Sequence, residues 1–285
     1  MRCKSTQSRS RSSDVGARKM TGVGEPDAGP LDWLGRPIRC RECAHSSLNR
    51  EGLCRKGATC VRDRRARRID RFFKDNPPLA NAYLNHEYFE VRAIAARYAS
   101  VLRLPALLND PEPEVRASAA MRLPEARISA LIHDIEPRVR IALANRLEGA
   151  ALLAMLHDED YLVRLNVVRR LPSDLLPLAA SDPDSEVRRW VARRIATDRL
   201  DLLLFDPEPL VRVIVAERLP PERLAILVKD EDLRVRFAVA ERALSELLRR
   251  LLDDPDEYIR SAAATRLVEL EQATNRGKDT SSSQP

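Results

Sequence analysis

The chain has 285 residues, with 49 Lys/Arg against 43 Asp/Glu and a formal net charge of +6. It lacks a run of 18 or more uncharged apolar residues, which argues against a membrane span, and its first 30 residues lack the central apolar stretch of a signal peptide. A cytoplasmic location is therefore expected, where clustered cysteines point to metal binding or catalysis more than to disulfides.

Residues 1–30 are rich in Ser, Arg, Gly and Pro and are expected to form a disordered leader. Cys3 lies in this leader and is expected to be free, and Met20 offers an alternative start. Residues 31–74 hold the other four cysteines, Cys40, Cys43, Cys54 and Cys60, in the pattern C-x2-C-x10-C-x5-C. No cysteine follows Cys60, so the concentration predicts a four-thiolate metal site. Basic residues Arg39, Arg41, Arg55 and Lys56 flank these positions and would offset the thiolate charge. The spacing by itself leaves zinc and an iron–sulfur cluster both open. His45 is an alternative ligand in place of one cysteine. Charge is uneven: residues 37–74 carry 12 Lys/Arg and 4 Asp/Glu, whereas residues 75–285 carry 30 and 35.

Residues 75–270 repeat with a period of 24. Val-Arg recurs at Val91, Val115, Val139, Val163, Val187, Val211 and Val235, and Ile259-Arg260 completes eight units. Asp stands five residues before most anchors and Arg seven residues after, as in Asp110 and Arg122. Each unit predicts one longer helix, with Asp110 and its equivalents as N-caps and Leu-Pro as the stop. Val115, Ala119, Ala120 and Leu123 make one apolar face. A short second helix of one or two turns, of 3₁₀ type, is expected over residues such as Ile128, Leu131 and Ile132. Neither helix buries its apolar face alone, so the units must stack as a solenoid. At about 100° per residue, Arg116 falls on the apolar side of its helix. A guanidinium there needs a partner, and the recurrent Asp of its own or the next unit is expected to supply one. The first unit departs from the pattern with His86 for Asp, Tyr98 for Arg and Ala99 for Leu. Residues 271–285 are expected to be a disordered tail.

The repeat and cysteine block together resemble the leucine-rich repeat variant (LRV) proteins over residues 31 to 270. The resemblance rests on the Asp-Pro-x-x-x-Val-Arg and Arg-Leu-Pro elements. It implies an all-α, right-handed superhelical solenoid of alternating α- and 3₁₀-helices behind a small N-terminal module. It also implies a 4Fe-4S cluster on Cys40, Cys43, Cys54 and Cys60, which favours iron–sulfur over zinc.

The expected function is a cluster-bearing repeat protein that presents its solenoid to a protein partner, with a redox- or iron-responsive or electron-transferring cluster. A zinc-bearing nucleic-acid-binding protein is the alternative. It is disfavoured because the repeats are net acidic and aromatics make up only 4% of the chain. No phosphate-binding glycine loop or Ser/His/Asp pattern is found, so no enzymatic activity is expected. His133 and His157 occupy one slot in adjacent repeats and read as surface residues.

Overall fold

A computed structural model describes residues 29–281, with side chains to Ala273. Cys3, Met20, most of the expected leader and the last four residues lie outside the described residues. The chain divides between Asp75 and Asn76 into two compact units. Among the described residues there is no strand, only isolated bridges such as Leu31 to Pro37 and Asp32 to Asp63. No helix is long and apolar enough to cross a membrane.

The first unit contains α1 (Ser46–Arg50) and α2 (Ala66–Asp75). Ile69, Phe72 and Phe73 are fully buried beneath α2 and form the unit's core.

The second unit is a stack of helical repeats. Its longer helices are α3 (Phe89–Tyr98), α4 (Pro113–Ala120), α6 (Pro137–Ala144), α8 (Tyr161–Arg170), α9 (Ser185–Arg194), α10 (Pro209–Arg218), α11 (Leu233–Arg242) and α13 (Glu257–Ser281). Most are linked by 3₁₀ segments such as Val101–Asn109 and Thr197–Leu203. Two links begin with a turn of α-helix, at α5 (Glu125–Ile128) and α7 (Gly149–Leu153), and the last is α-helical throughout, at α12 (Ser245–Leu251). The final helix continues past Leu270 to Ser281, where the sequence suggests a tail from residue 271. Glu271, Gln272 and Ala273 are good helix formers and extend it.

Two columns of side chains fill the core. Val91, Val115, Val139, Val163, Val187, Val211, Val235 and Ile259 are fully buried, one per repeat. Leu104, Ile128, Leu152, Leu176, Leu200, Leu224 and Leu248 form the matching column from the short helices. Each buried side chain of this size contributes about 1.5–3 kcal/mol against leaving it exposed.

The anchor arginines reach forward into the next repeat. Arg92, Arg116, Arg140, Arg164, Arg188, Arg212 and Arg236 each donate two bonds, at 2.7–3.2 Å, to the Asp 18 residues ahead. The third arm turns back. Arg116 Nη1 donates to the Asp110 carbonyl at 2.8 Å, and Arg164 Nη1 donates to that of Asp158 at 2.9 Å. Every interior repeat is thereby tied to its successor by a two-pronged ion pair and to its own loop by backbone.

The aspartates are not the helix N-caps the sequence suggests. Asp110 Oδ1 accepts the Glu112 N–H at 3.0 Å, and the cap position of α4 is Glu112 itself. In α8, α9 and α11 the caps are Asp160, Asp184 and Asp232, and their carboxylates accept first-turn N–H groups. The helix starts later because the ladder Asp is committed to the arginine of the preceding repeat.

His86 fills the Asp slot of the first repeat with the part of its chemistry still required. Its Nδ1 accepts the Tyr88 N–H at 3.1 Å, as Asp110 Oδ1 does for Glu112, and its carbonyl accepts Arg92 at 2.9 Å. Burial lowers its pKa and keeps this nitrogen an acceptor.

A second set of arginines points backward. Arg122 donates to the Ala96 carbonyl, Arg170 to those of Ala144 and Leu147, Arg194 to Leu171, Arg218 to Ala192 and Arg242 to Leu219. These are C-terminal carbonyls of the preceding helix or its stop residue, which no longer have partners within the helix. The cation also opposes the negative end of that helix.

Candidate metal centre

The cysteine unit is built from short loops, each fixed by its own hydrogen bonds. Cys40 opens a 3₁₀ turn, and the Cys43 N–H donates to the Cys40 carbonyl at 3.3 Å to close the C-x2-C knuckle. After α1, the Leu53 and Cys54 N–H groups both donate to the Leu48 carbonyl. Asn49 Nδ2 holds the Cys54 carbonyl at 2.7 Å. The loop from Arg55 to Thr59 is pinned by paired backbone bonds of 2.7 and 2.9 Å. Gly57 sits at its tip with φ +79°, where an added Cβ would lie 3.0 Å from Pro30 Cγ. Glycine serves there because the backbone is left-handed and the neighbouring chain is close.

Cys54 and Cys60 are buried, and Cys40 and Cys43 are half-buried. The Cys54 thiol donates to the Cys60 sulfur, and this bond is the largest influence on both groups. It lowers the Cys60 pKa against the opposing effect of burial, with the Arg62 backbone lowering it further and the Asp63 charge raising it. The Cys54 thiol is pushed up by that bond, then by burial, then by the charges of Cys60, Cys43 and Cys40. All four predicted cysteines therefore share one electrostatic neighbourhood. Among the described residues, no group of three or more His, Cys, Asp or Glu side chains has the geometry to hold a metal ion as it stands. The sulfurs are neighbours without already converging as a single-ion site.

The donor set fits an iron–sulfur group chemically. It offers four soft sulfurs and the burial of two of them. His45 packs its ring against Phe72, with centroids 5.2 Å apart, and burial lowers its pKa. His133 and His157 line one shallow recess with Asp134, Arg140 and Asp158.

Two carboxylates that hold the loops escape a reading of the sequence. Asp63 is fully buried and accepts from the Arg65 N–H at 3.0 Å and from Arg68 Nη1 at 2.9 Å. Asp32 is also buried, and its Oδ1 accepts the Leu34 and Arg36 N–H groups. Asp32 and Asp63 form an antiparallel bridge, which joins the start of the unit to the loop after Cys60. They stand 31 positions apart in the sequence, and no local pattern pairs them.

A four-cysteine unit and a stack of short helical repeats define the chain as a repeat protein with a cysteine-rich module, and comparison with known proteins gives its family. A family model described as "LRV protein FeS4 cluster" matches residues 30–82. One described as "Leucine rich repeat variant" matches residues 137–160 and 209–232. A solved structure, titled a leucine-rich repeat variant with a novel repetitive protein structural motif, is 44% identical. It covers 81% of this chain and 99% of its own, with a TM-score of 0.74. A curated relative from Rhodobacter capsulatus, named an uncharacterized 27.7 kDa protein in the nifB 3' region, is 51% identical over 84 residues. That match takes in 30% of this chain, and the chain spans about a third (34%) of the relative's length. The chain belongs to the leucine-rich repeat variant family.

Proposed function

We propose that Cys40, Cys43, Cys54 and Cys60 together hold a 4Fe-4S cluster, and that the repeats present a surface to a protein partner. The observation that carries the first part is the shared neighbourhood of the four sulfurs, all inside the segment matched by the FeS4 family model. Free thiols of this kind fit a reducing, cytoplasmic setting. When bound, the cluster would supply one-electron chemistry or a response to iron and redox state, with no catalytic side chain required. The chain's own part is to shield it: Cys54 and Cys60 sit in the interior, and the Arg62 backbone favours negative charge on the Cys60 sulfur.

A protein partner is supported by exposed apolar residues on the repeats. Leu178, Leu202 and Ile226 stand one repeat apart and are 58%, 54% and 49% exposed. Phe205 is 78% exposed and lines a recess with Ile226. A partner that covers this row would bury apolar surface from successive repeats. The competing reading, a row of arginines offered to nucleic acid, is weakened because the anchor arginines are spent on aspartates and carbonyls.

The test is an anaerobic preparation analysed for iron, acid-labile sulfide and zinc, with an absorption spectrum. A brown protein with equal iron and sulfide that bleaches on oxidation is expected. A colourless protein carrying zinc would overturn the assignment.

A further inference from the structure

The outer face of α2 carries three exposed cations, with Asp70 and Asp75 set among them and the balance still basic. Arg67, Arg71 and Lys74 lie at i, i+4 and i+7, and all three are exposed. This spacing aligns them in one stripe opposite buried Ile69, Phe72 and Phe73. Among the described residues none of the three has an ion-pair partner. Exposed Arg41, Arg50, Arg55 and Lys56 add to the same unit's charge and likewise lack one. The contrast with the repeats is sharp, where the anchor arginines are matched with aspartates.

A solvated face would be the bland account of such a stripe, and the helix argues against it. Arg67 is the second residue of α2, at the positive end of the helix dipole, where a cation is unfavourable. Arg65 lies just before the helix and adds to the same cost. Only Lys74, in the last turn, is favoured by the dipole. Charge that opposes the local helix is better explained by a partner than by the fold.

We infer that the Arg67/Arg71/Lys74 stripe is a docking surface for an acidic protein. A helix of ten residues is about 15 Å long, which suits a compact acidic patch better than an extended polyanion. The aromatic rings of α2, Phe72 and Phe73, are buried, so the stripe offers no platform for stacking bases. α2 is also tied to the cysteine loops: the Cys60 N–H donates to the Arg68 carbonyl, and Arg68 pairs with Asp63. A partner on the stripe would thus sit on the element that braces the proposed cluster site, and to that extent the inference builds on the proposed function.

The experiment uses the full-length protein prepared anaerobically, with iron and zinc measured separately so that the cluster assignment is judged apart from docking. Labelled oxidised flavodoxin, a small acidic protein, is titrated by fluorescence anisotropy at low and at physiological ionic strength. Near-neutral myoglobin and a 20-base-pair DNA duplex serve as comparisons. Binding to flavodoxin is expected at low salt, weakened by added salt and reduced roughly tenfold or more in the Arg67→Glu/Arg71→Glu/Lys74→Glu variant. The milder Arg67→Gln/Arg71→Gln variant should show a smaller loss, and it keeps the test valid if the reversal disturbs folding. Absence of flavodoxin binding at low salt, or equal affinity in the variants, would overturn the inference. Tighter binding to the duplex, lost in the variants, would also overturn it and assign the stripe to nucleic acid.

Discussion

Arg188 illustrates what a single residue does in this fold. Its side chain is 10% exposed, and it holds both carboxylate oxygens of Asp206, whose side chain is 2% exposed. Its remaining arm donates to the carbonyl of Asp182 at 2.8 Å. Arg188→Met would leave Asp206 buried without its cation, and a loss of about 3–5 kcal/mol is expected in chemical denaturation. Arg199→Ala, at a side chain 65% exposed, should leave the midpoint nearly unchanged. The ladder also sets the acid limit. Burial opposes ionisation of Asp110, Asp134 and Asp254, yet the arginine and N–H bonds they accept hold their carboxyls below the usual range. A carboxylate with a lowered folded-state pKa contributes stability above its unfolded value and loses it as pH falls through the folded one. Thermal melts should therefore decline below about pH 4, and Asp134→Asn should melt lower near neutrality with a shallower acid dependence. That Arg116 lies on the apolar side was readable from helical angles. Which Asp it takes was not, because the Asp of its own repeat and that of the next stand in equivalent slots.

Elements here are short, and their ends carry more information than their middles. The backward-pointing arginines finish the helices of the preceding repeat, a role that the recurrence of Arg122 and Arg170 signalled but did not explain. Their targets are backbone carbonyls 23 to 26 residues back, which have no sequence signature. The misplaced N-cap has the same origin: Asp-Pro reads as a cap until the preceding repeat's arginine claims the Asp. In the cysteine unit, the loop from Arg55 to Thr59 depends on Gly57. Gly57→Ala meets both a left-handed backbone and the Pro30 ring. A cost of about 1–2 kcal/mol from the backbone alone is expected, visible as faster loss of iron to a chelator at unchanged melting of the repeats.

At the scale of the whole molecule, the period of 24 is the organising fact, and it was legible because no insertion interrupts the Val-Arg anchors. Each interior repeat contacts its neighbours through the same two arginine sets, so repeats should be interchangeable units. Deleting Asp158–Ser181 removes one full period and brings Asp182 to the position 18 residues after Arg140. The ladder can re-form, and the shortened protein should unfold in one cooperative transition. Deleting Asp158–Ala180 removes one residue fewer, breaks the register and should broaden or abolish that transition. The four cysteines were equally legible from their concentration, whereas Asp32 and Asp63, which hold their loops, meet only in three dimensions.

The shortest route to the cluster itself is anomalous diffraction from anaerobically grown crystals at the iron absorption edge. One strong iron peak is expected, shaped for four irons and bonded to the sulfurs of Cys40, Cys43, Cys54 and Cys60. A peak at the zinc edge only, or a metal that leaves any of these four sulfurs unbound, would contradict it.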